Sequence, residues 1–202
     1  MTKGSCLCGA VRYEVDGPFT SMTNCHCSMC RKHHGAAFAT FVGAPLAGFR
    51  WLRGQSEIDT YRSSALGTRS FCRHCGSVTP TLLPQHDAYP PEFGLGAIER
   101  AAVEAKEGVT PGSCLCSDVR FEIVGAPLRM WNCHCSRCRR GRSAMHASNI
   151  FYKFAQLRFL RGADSIVDYQ VPEARFFTLG SKAPWDEITD RTPQYAELPP
   201  AP

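Results

Sequence analysis

The sequence lacks any run of about 18 apolar residues, the length a membrane-spanning helix needs. Its first residues, Met1-Thr2-Lys3-Gly4-Ser5-Cys6, put no apolar stretch behind the charge, so no secretory signal is expected there. Neither sign of charge dominates. Lys and Arg number 23 against 18 Asp and Glu, a net charge of +5. Residues 1–100 carry 10 basic and 7 acidic side chains, and residues 101–202 carry 13 and 11. Neither half is a basic arm or an acidic tail, so charge does not call for a nucleic-acid partner. Hydrophobic residues at 44% and charged residues at 20% are ordinary for a soluble globular protein. A length of 202 residues fits one domain or two small ones. The expectation is a cytoplasmic protein with no membrane association.

What the chain has in excess is cysteine, twelve in all. In a reducing compartment clustered thiols are metal ligands before they are disulfides. They stand at 6, 8, 25, 27, 30, 72 and 75, then at 114, 116, 133, 135 and 138. Adding 108 to the first five gives the last five. Other residues keep the offset. Val11-Arg-Tyr-Glu14 matches Val119-Arg-Phe-Glu122, and Asn24-Cys-His-Cys-Ser28 matches Asn132-Cys-His-Cys-Ser136. Phe49-Arg-Trp-Leu-Arg-Gly54 matches Leu157-Arg-Phe-Leu-Arg-Gly162, and Tyr61 matches Tyr169. The chain is a tandem duplication.

The copies are assigned to 1–82 and 110–202, with 83–109 as a connector rich in Pro and Gly. The connector contains an Ala- and Glu-rich segment, 97–107, that can form a helix; it could instead complete the first copy. Within each copy the pattern is mainly β. Val11–Val15 and Val119–Ile123 alternate apolar and polar residues, as half-buried strands do. A Gly/Pro turn follows each. Residues 37–42 read as another strand, and Leu52-Arg53-Gly54 as a strand ending in a turn. Trp51 and Phe159 fall in strand-like patterns and are expected in the core.

Seven thiols in the first copy divide into four and three. Cys6, Cys8, Cys72 and Cys75 make two remote pairs suited to a closed, structural four-thiolate zinc site. In the turn Cys72-Arg-His-Cys75-Gly76 the glycine follows the second ligand, as in a zinc knuckle. Cys25, Cys27 and Cys30 put three ligands on one short loop. Three ligands leave one position on zinc open, the pattern of a catalytic site, unless His26 or a remote residue closes it and the site is structural too. A thiol entering that position would be deprotonated and held as a nucleophile. Cys133, Cys135 and Cys138 repeat the arrangement, and Cys114 and Cys116 repeat the first pair. His26 and His134, between two cysteines of a CxC, read as spacers whose side chains point away from the metal. His33 and His34 correspond to Gly141 and Arg142, so no role shared by both copies rests on them.

Gly4-Ser-Cys-Leu-Cys-Gly-Ala-Val-Arg-Tyr13, Asn24-Cys-His-Cys-Ser-Met-Cys-Arg-Lys-His-His-Gly-Ala36 and Phe71-Cys-Arg-His-Cys-Gly76 resemble the glutathione-dependent formaldehyde-activating enzyme family, related to the centromere protein V domain. Gly180-Ser-Lys-Ala-Pro-Trp-Asp-Glu-Ile188 is similar to the family's closing segment. The resemblance covers most of 1–80 and 112–198. It implies two small β-rich zinc modules of the Mss-four-like fold. It implies structural zinc on Cys6, Cys8, Cys72 and Cys75, and a second zinc on Cys25, Cys27 and Cys30 where the thiol of glutathione, as co-substrate, would bind. The family reaction joins that thiol to formaldehyde, giving S-hydroxymethylglutathione, and in reverse is a carbon–sulfur lyase.

The copies depart from the family in different ways. At the offset of 108, Cys72 and Cys75 correspond to Gly180 and Ala183, so Cys114 and Cys116 lack partner thiols. Phe177–Gly180 reads as a junction where a hairpin is missing. Asp186, Glu187 or Asp190 could stand in, although cysteine-rich sites rarely use carboxylates. Arg31, Arg139 and Arg140 flank the three-cysteine loops and are candidates for binding an anion such as a glutathione carboxylate; the alternative is a solvated charged surface. Two functions are therefore expected to compete. One is a zinc-dependent carbon–sulfur lyase acting on a small thiol adduct. The other is a non-enzymatic zinc module that binds protein or, less in keeping with the charge, nucleic acid. A homo-oligomer is compatible with either.

Overall fold

The computed structural model describes residues 1–63, 67–82, 106–170 and 194. In the first copy β1 (Thr2–Ser5), β2 (Arg12–Val15) and β5 (Phe49–Arg53) form an antiparallel sheet in the order β1-β2-β5. A hairpin of β3 (Ser21–Cys25) and β4 (Ala39–Gly43) encloses the short helix α1 (Ser28–His34). A second hairpin pairs β6 (Ile58–Arg62) with β7 (Thr68–Cys72). The second copy repeats the plan. β8 (Val109–Ser113), β9 (Arg120–Val124) and β12 (Leu157–Arg161) make the three-stranded sheet. β10 (Arg129–Cys133) and β11 (Ala147–Phe151) enclose α2 (Ser136–Arg142). Every element from β2 to β5 thus recurs 108 residues later, within one residue at its ends. β8 takes in Val109, the last connector residue by sequence. Among the described residues the second copy has no counterpart of the β6–β7 hairpin, and the Phe177–Gly180 junction, the Gly180–Ile188 segment and residues 97–105 of the expected helix lie outside them. No helix among the described residues is long and apolar enough to cross a membrane.

The outer strand fits because its glycine is small. Gly4 lies opposite Tyr13, and a Cβ there would enter the tyrosine ring; Gly112 faces Phe121 in the same way. Tyr13, Phe49 and Trp51 pack ring on ring, with centroids 4.9 to 6.0 Å apart. Strand alternation holds only in part. Glu14, expected on the polar face, is 6% exposed, because Arg50 from the neighbouring strand covers it with a charge-assisted hydrogen bond of 2.9 Å from Nε. A buried carboxylate tolerates that position only when so paired.

The core of the first copy is small, and its centre is Cys6, Val11 and Cys72, with Ala10, Trp51, Ile58 and Cys75 against it. Trp51 therefore meets the expectation. Phe159, its counterpart, does not: it is 38% exposed, since the hairpin that covers Trp51 has no described equivalent over Phe159. A buried valine contributes about 2 kcal/mol, whereas structural zinc bound by thiolates contributes about 10–16 kcal/mol of apparent folding energy. A core this poor in large side chains and this rich in sulfur would gain more from a metal ion bound by its thiols than from apolar burial.

The copies meet at their helix ends. His34 closes α1, and its Nδ1 lies 3.0 and 3.1 Å from the carbonyl oxygens of Arg142 and Ser143 at the end of α2. Carbonyls only accept, so Nδ1 carries the hydrogen. Gly35, in the left-handed region at φ 56°, leaves room for the Arg142 guanidinium. Its counterpart Ser143 uses its hydroxyl instead, donating to the Val78 carbonyl at 2.8 Å. Lys32 Nζ donates to Ser113 Oγ at 2.5 Å.

Candidate metal centre

The four-cysteine site joins two turns. Cys6 and Cys8 lie in the β1–β2 loop, and Cys72 and Cys75 in the turn after β7. Their sulfurs all lie within 4.8 Å of one another. Cys6 and Cys8 sulfurs are 3.5 Å apart, and those of Cys8 and Cys72 3.8 Å. The Val11 N–H points at Cys6 Sγ from 3.3 Å. Gly76, at φ 68°, closes the turn with its N–H on the Cys72 carbonyl at 2.8 Å. Ser77, fully buried, accepts the Leu7 N–H on Oγ at 3.0 Å and lies 3.4 Å from Cys75 Sγ. Burial raises the Cys75 thiol, but hydrogen bonds led by Ser77 outweigh it and bring it down to about 6. Burial pushes Cys8 up to about 12. Sulfurs this close resist ionising together, and a divalent cation among them removes the conflict. The donor set fits a closed tetrahedral ion such as zinc.

The first three-cysteine cluster is built by β3 and α1. Cys25 ends β3 opposite Ala39. Cys27 is the N-cap of α1, its sulfur accepting the Cys30 N–H at 3.4 Å. Cys30, one helical turn in, is buried, while Cys27 is exposed. The three sulfurs are within 4.8 Å of one another. Burial raises the Cys27 thiol, yet hydrogen bonds from the Cys30 N–H, from the Cys30 and Cys25 side chains and from the Met29 N–H leave it below its ordinary value. Burial pushes Cys30 up to about 12 against the pull of Arg69. Three donors with an exposed corner fit a metal ion that keeps one position for another ligand.

Arg69, on β7, escaped the sequence reading. Its Nη2 lies 3.7 Å from Cys30 Sγ, and its Nε donates to Ser63 Oγ at 3.1 Å. Its position at the offset of 108 is Phe177, so comparison of the copies gave no hint of a shared role. Ser77 was missed for the same reason.

The second cluster, Cys133, Cys135 and Cys138, has the same architecture. Cys135 caps α2 and accepts the Cys138 N–H at 3.4 Å. It is more enclosed: Cys135 is 3% exposed, where Cys27 is open. Cys114 and Cys116 lie 3.3 Å apart and join no larger cluster among the described residues. His26 and His134 are in neither ligand group. His26 packs on Phe38 (5.1 Å), Phe38 on His146 (5.4 Å) and His146 on His134 (5.1 Å), a row of rings that crosses from one copy to the other. Of the anion candidates, Arg139 donates from Nε to the His134 carbonyl at 3.0 Å, whereas Arg31 and Arg140 are exposed.

A family model described as glutathione-dependent formaldehyde-activating enzyme matches residues 1–95 and 109–178. A protein of Halomonas elongata, named provisionally as a glutathione-dependent formaldehyde-activating enzyme, is 36% identical over 85 residues, 38% of this chain and 53% of that protein. The match spans about half the length of that relative. A crystal structure of a Rhodobacter sphaeroides protein is 34% identical over 39% of this chain and 71% of its own, with a TM-score of 0.32.

Proposed function

This chain belongs to the glutathione-dependent formaldehyde-activating enzyme family, and from that premise we propose that it makes or breaks the carbon–sulfur bond between a glutathione-like thiol and formaldehyde at Cys25, Cys27 and Cys30. The observation that carries the reading is the convergence of three sulfurs within 4.8 Å at a cluster with one buried and one exposed corner. Zinc bound there would supply a Lewis-acid position that favours the thiolate form of an incoming thiol.

In the forward direction the substrate thiol loses its proton, its sulfur attacks the carbonyl carbon, and the carbonyl oxygen takes up a proton. The reverse breaks the same bond and returns both fragments. Cys30 fixes the inner corner and Cys27 the outer one, so an incoming thiol approaches on the Cys27 side. Arg69 sets a guanidinium 3.7 Å from Cys30 Sγ, where its charge favours the anionic forms of sulfur. Arg31 and Lys32, exposed on α1, offer cations to the carboxylates of a glutathione-like peptide. The second cluster, with Cys135 enclosed, is the less accessible of the two.

The test is the rate of S-hydroxymethylglutathione formation and breakdown with zinc-loaded protein. Cys27→Ser abolishes the acceleration, while Cys135→Ser leaves most of it. An unmodified protein that neither binds glutathione nor changes either rate rules this substrate out.

A further inference from the structure

All twelve cysteines lie among the described residues, and ten of them stand in the three clusters. Cys114 and Cys116 are left over, yet their loop repeats most of the hydrogen bonds of the first copy's ligand loop, and adds one contact, Cys116 Sγ to Asp118 Oδ2 at 3.4 Å. The Cys114 N–H donates to the Val119 carbonyl at 3.1 Å, as Cys6 does to Val11 at 3.1 Å. The Val119 N–H points at Cys114 Sγ from 3.3 Å, as Val11 does at Cys6. Arg120 and Arg161 both donate to the Ser117 carbonyl, as Arg12 and Arg53 do to that of Gly9. Where the first copy has Gly9 at φ 75°, the second holds Ser117 at φ 66°, a left-handed conformation that costs an L-residue about 1–2 kcal/mol. The two sulfurs end 3.3 Å apart, aimed as a pair of metal ligands is aimed.

Among the described residues, the face they present is open. Cys116 is exposed and Cys114 partly so. Val119 is partly exposed where its counterpart Val11 is fully buried. In the first copy the turn bearing Cys72 and Cys75 covers this face. The chain has no further thiol to do so in the second, and residues 171–202 contain neither Cys nor His. A soft divalent ion that prefers four thiolates in a tetrahedron is satisfied by two such pairs. Two chains related by a two-fold axis through the ion supply them symmetrically. Arg120 and Arg161, one pair from each chain, stand by the loop to offset the charge of four thiolates.

We propose that Cys114 and Cys116 are half of a zinc site that is completed by the same pair from a second copy of this chain. Binding involves no redox step: four thiols give up their protons, and four zinc–sulfur bonds form.

The experiment titrates zinc into the full-length protein and follows metal content and mass by light scattering. The comparison is with the Cys114→Ser/Cys116→Ser variant. The variant's circular dichroism and its zinc at the other clusters serve as its folding control. The expected result is that the unmodified chain binds about half an ion more per chain than the variant, and that its mass doubles as this last increment binds. Cobalt in place of zinc shows the charge-transfer absorption of four thiolates in that increment. Three results overturn the proposal. One is a full extra ion per chain at monomer mass, which means completion within the chain by carboxylates such as Asp118. Another is no difference in metal content. The third is a dimer that persists in the variant.

Discussion

Ser77 bears on packing and on ligation at once, since its hydroxyl also lies 3.4 Å from Cys75 Sγ. Its hydroxyl accepts the Leu7 N–H in a fully buried position. Ser77→Ala leaves that N–H without its acceptor and is expected to cost about 1–3 kcal/mol, read from denaturant midpoints of the metal-loaded protein. Cys72→Ser should do far more. It removes one of the four clustered thiols at the centre of the core, so the first copy is expected to unfold, read as loss of its amide dispersion by NMR. Cys27→Ser should remove activity while the thermal midpoint moves little, because Cys27 lies at an exposed corner. Equal destabilisation by the two serine variants would mean that all the clusters serve structure alone. Arg69→Met tests the cation beside Cys30. The guanidinium pulls that thiol down, so without it protons compete harder for the sulfur. Metal release on acidification should then begin at a higher pH than in the unmodified protein, and Arg69→Lys should restore part of the difference. The four-cysteine and three-cysteine sets were legible in the sequence, since CxC, CxCxxC and CxxC encode ligand geometry locally. Arg69 and Ser77 were not. They act across strands and turns, and a single arginine or serine in a β pattern looks like any other.

At the scale of elements, the helix ends where the copies meet carry a pH dependence. His33 is pulled down to about 4 by burial first, then by the charges of Arg69 and His34. His34 is also lowered, with burial again the largest cause. The Nε2 atoms of both rings are buried without a hydrogen-bond partner among the described residues. The folded state therefore binds fewer protons on these rings than the unfolded chain does. Their stabilising contribution is complete above the ordinary histidine value of about 6.5 and is lost as pH falls from there towards about 4. His33→Gln/His34→Gln should flatten the fall in thermal midpoint across that window. A slope unchanged in the variant would assign it to the thiolates instead. The repeated strands and helices could be anticipated from the offset of 108 because each is coded by its own residues. Their meeting could not, because His34 and Arg142 are matched positions that bond to each other only in three dimensions.

The molecule as a whole is uneven. Its first copy has a hairpin, a four-sulfur anchor and a covered Trp51. Its second has an enclosed cluster, an exposed Phe159 and an open pair of thiols. Removing metal with a chelator should therefore lower the thermal midpoint by about 20 °C or more, with the first copy melting as a unit, followed by calorimetry and by exchange of the Val11 amide. If the midpoint holds under chelation, apolar packing carries the fold and the sulfur-centred core is incidental. The alternative role as a non-enzymatic binding module is tested at this scale too. Binding of a nucleic acid through Arg140 would weaken steeply with salt, and a fluorescence anisotropy unchanged at low salt sets that role aside.

The row of rings from His26 to His134 is symmetric except at its centre, where Phe38 meets His146 at 5.4 Å. A module that paired with an identical molecule would have to present the same side chain from both sides, so any mutation there would be made twice. Fusing the two into one gene lifts that constraint. One half can drift to phenylalanine while the other takes histidine, and selection can keep a mismatched junction that no self-associating ancestor could have encoded.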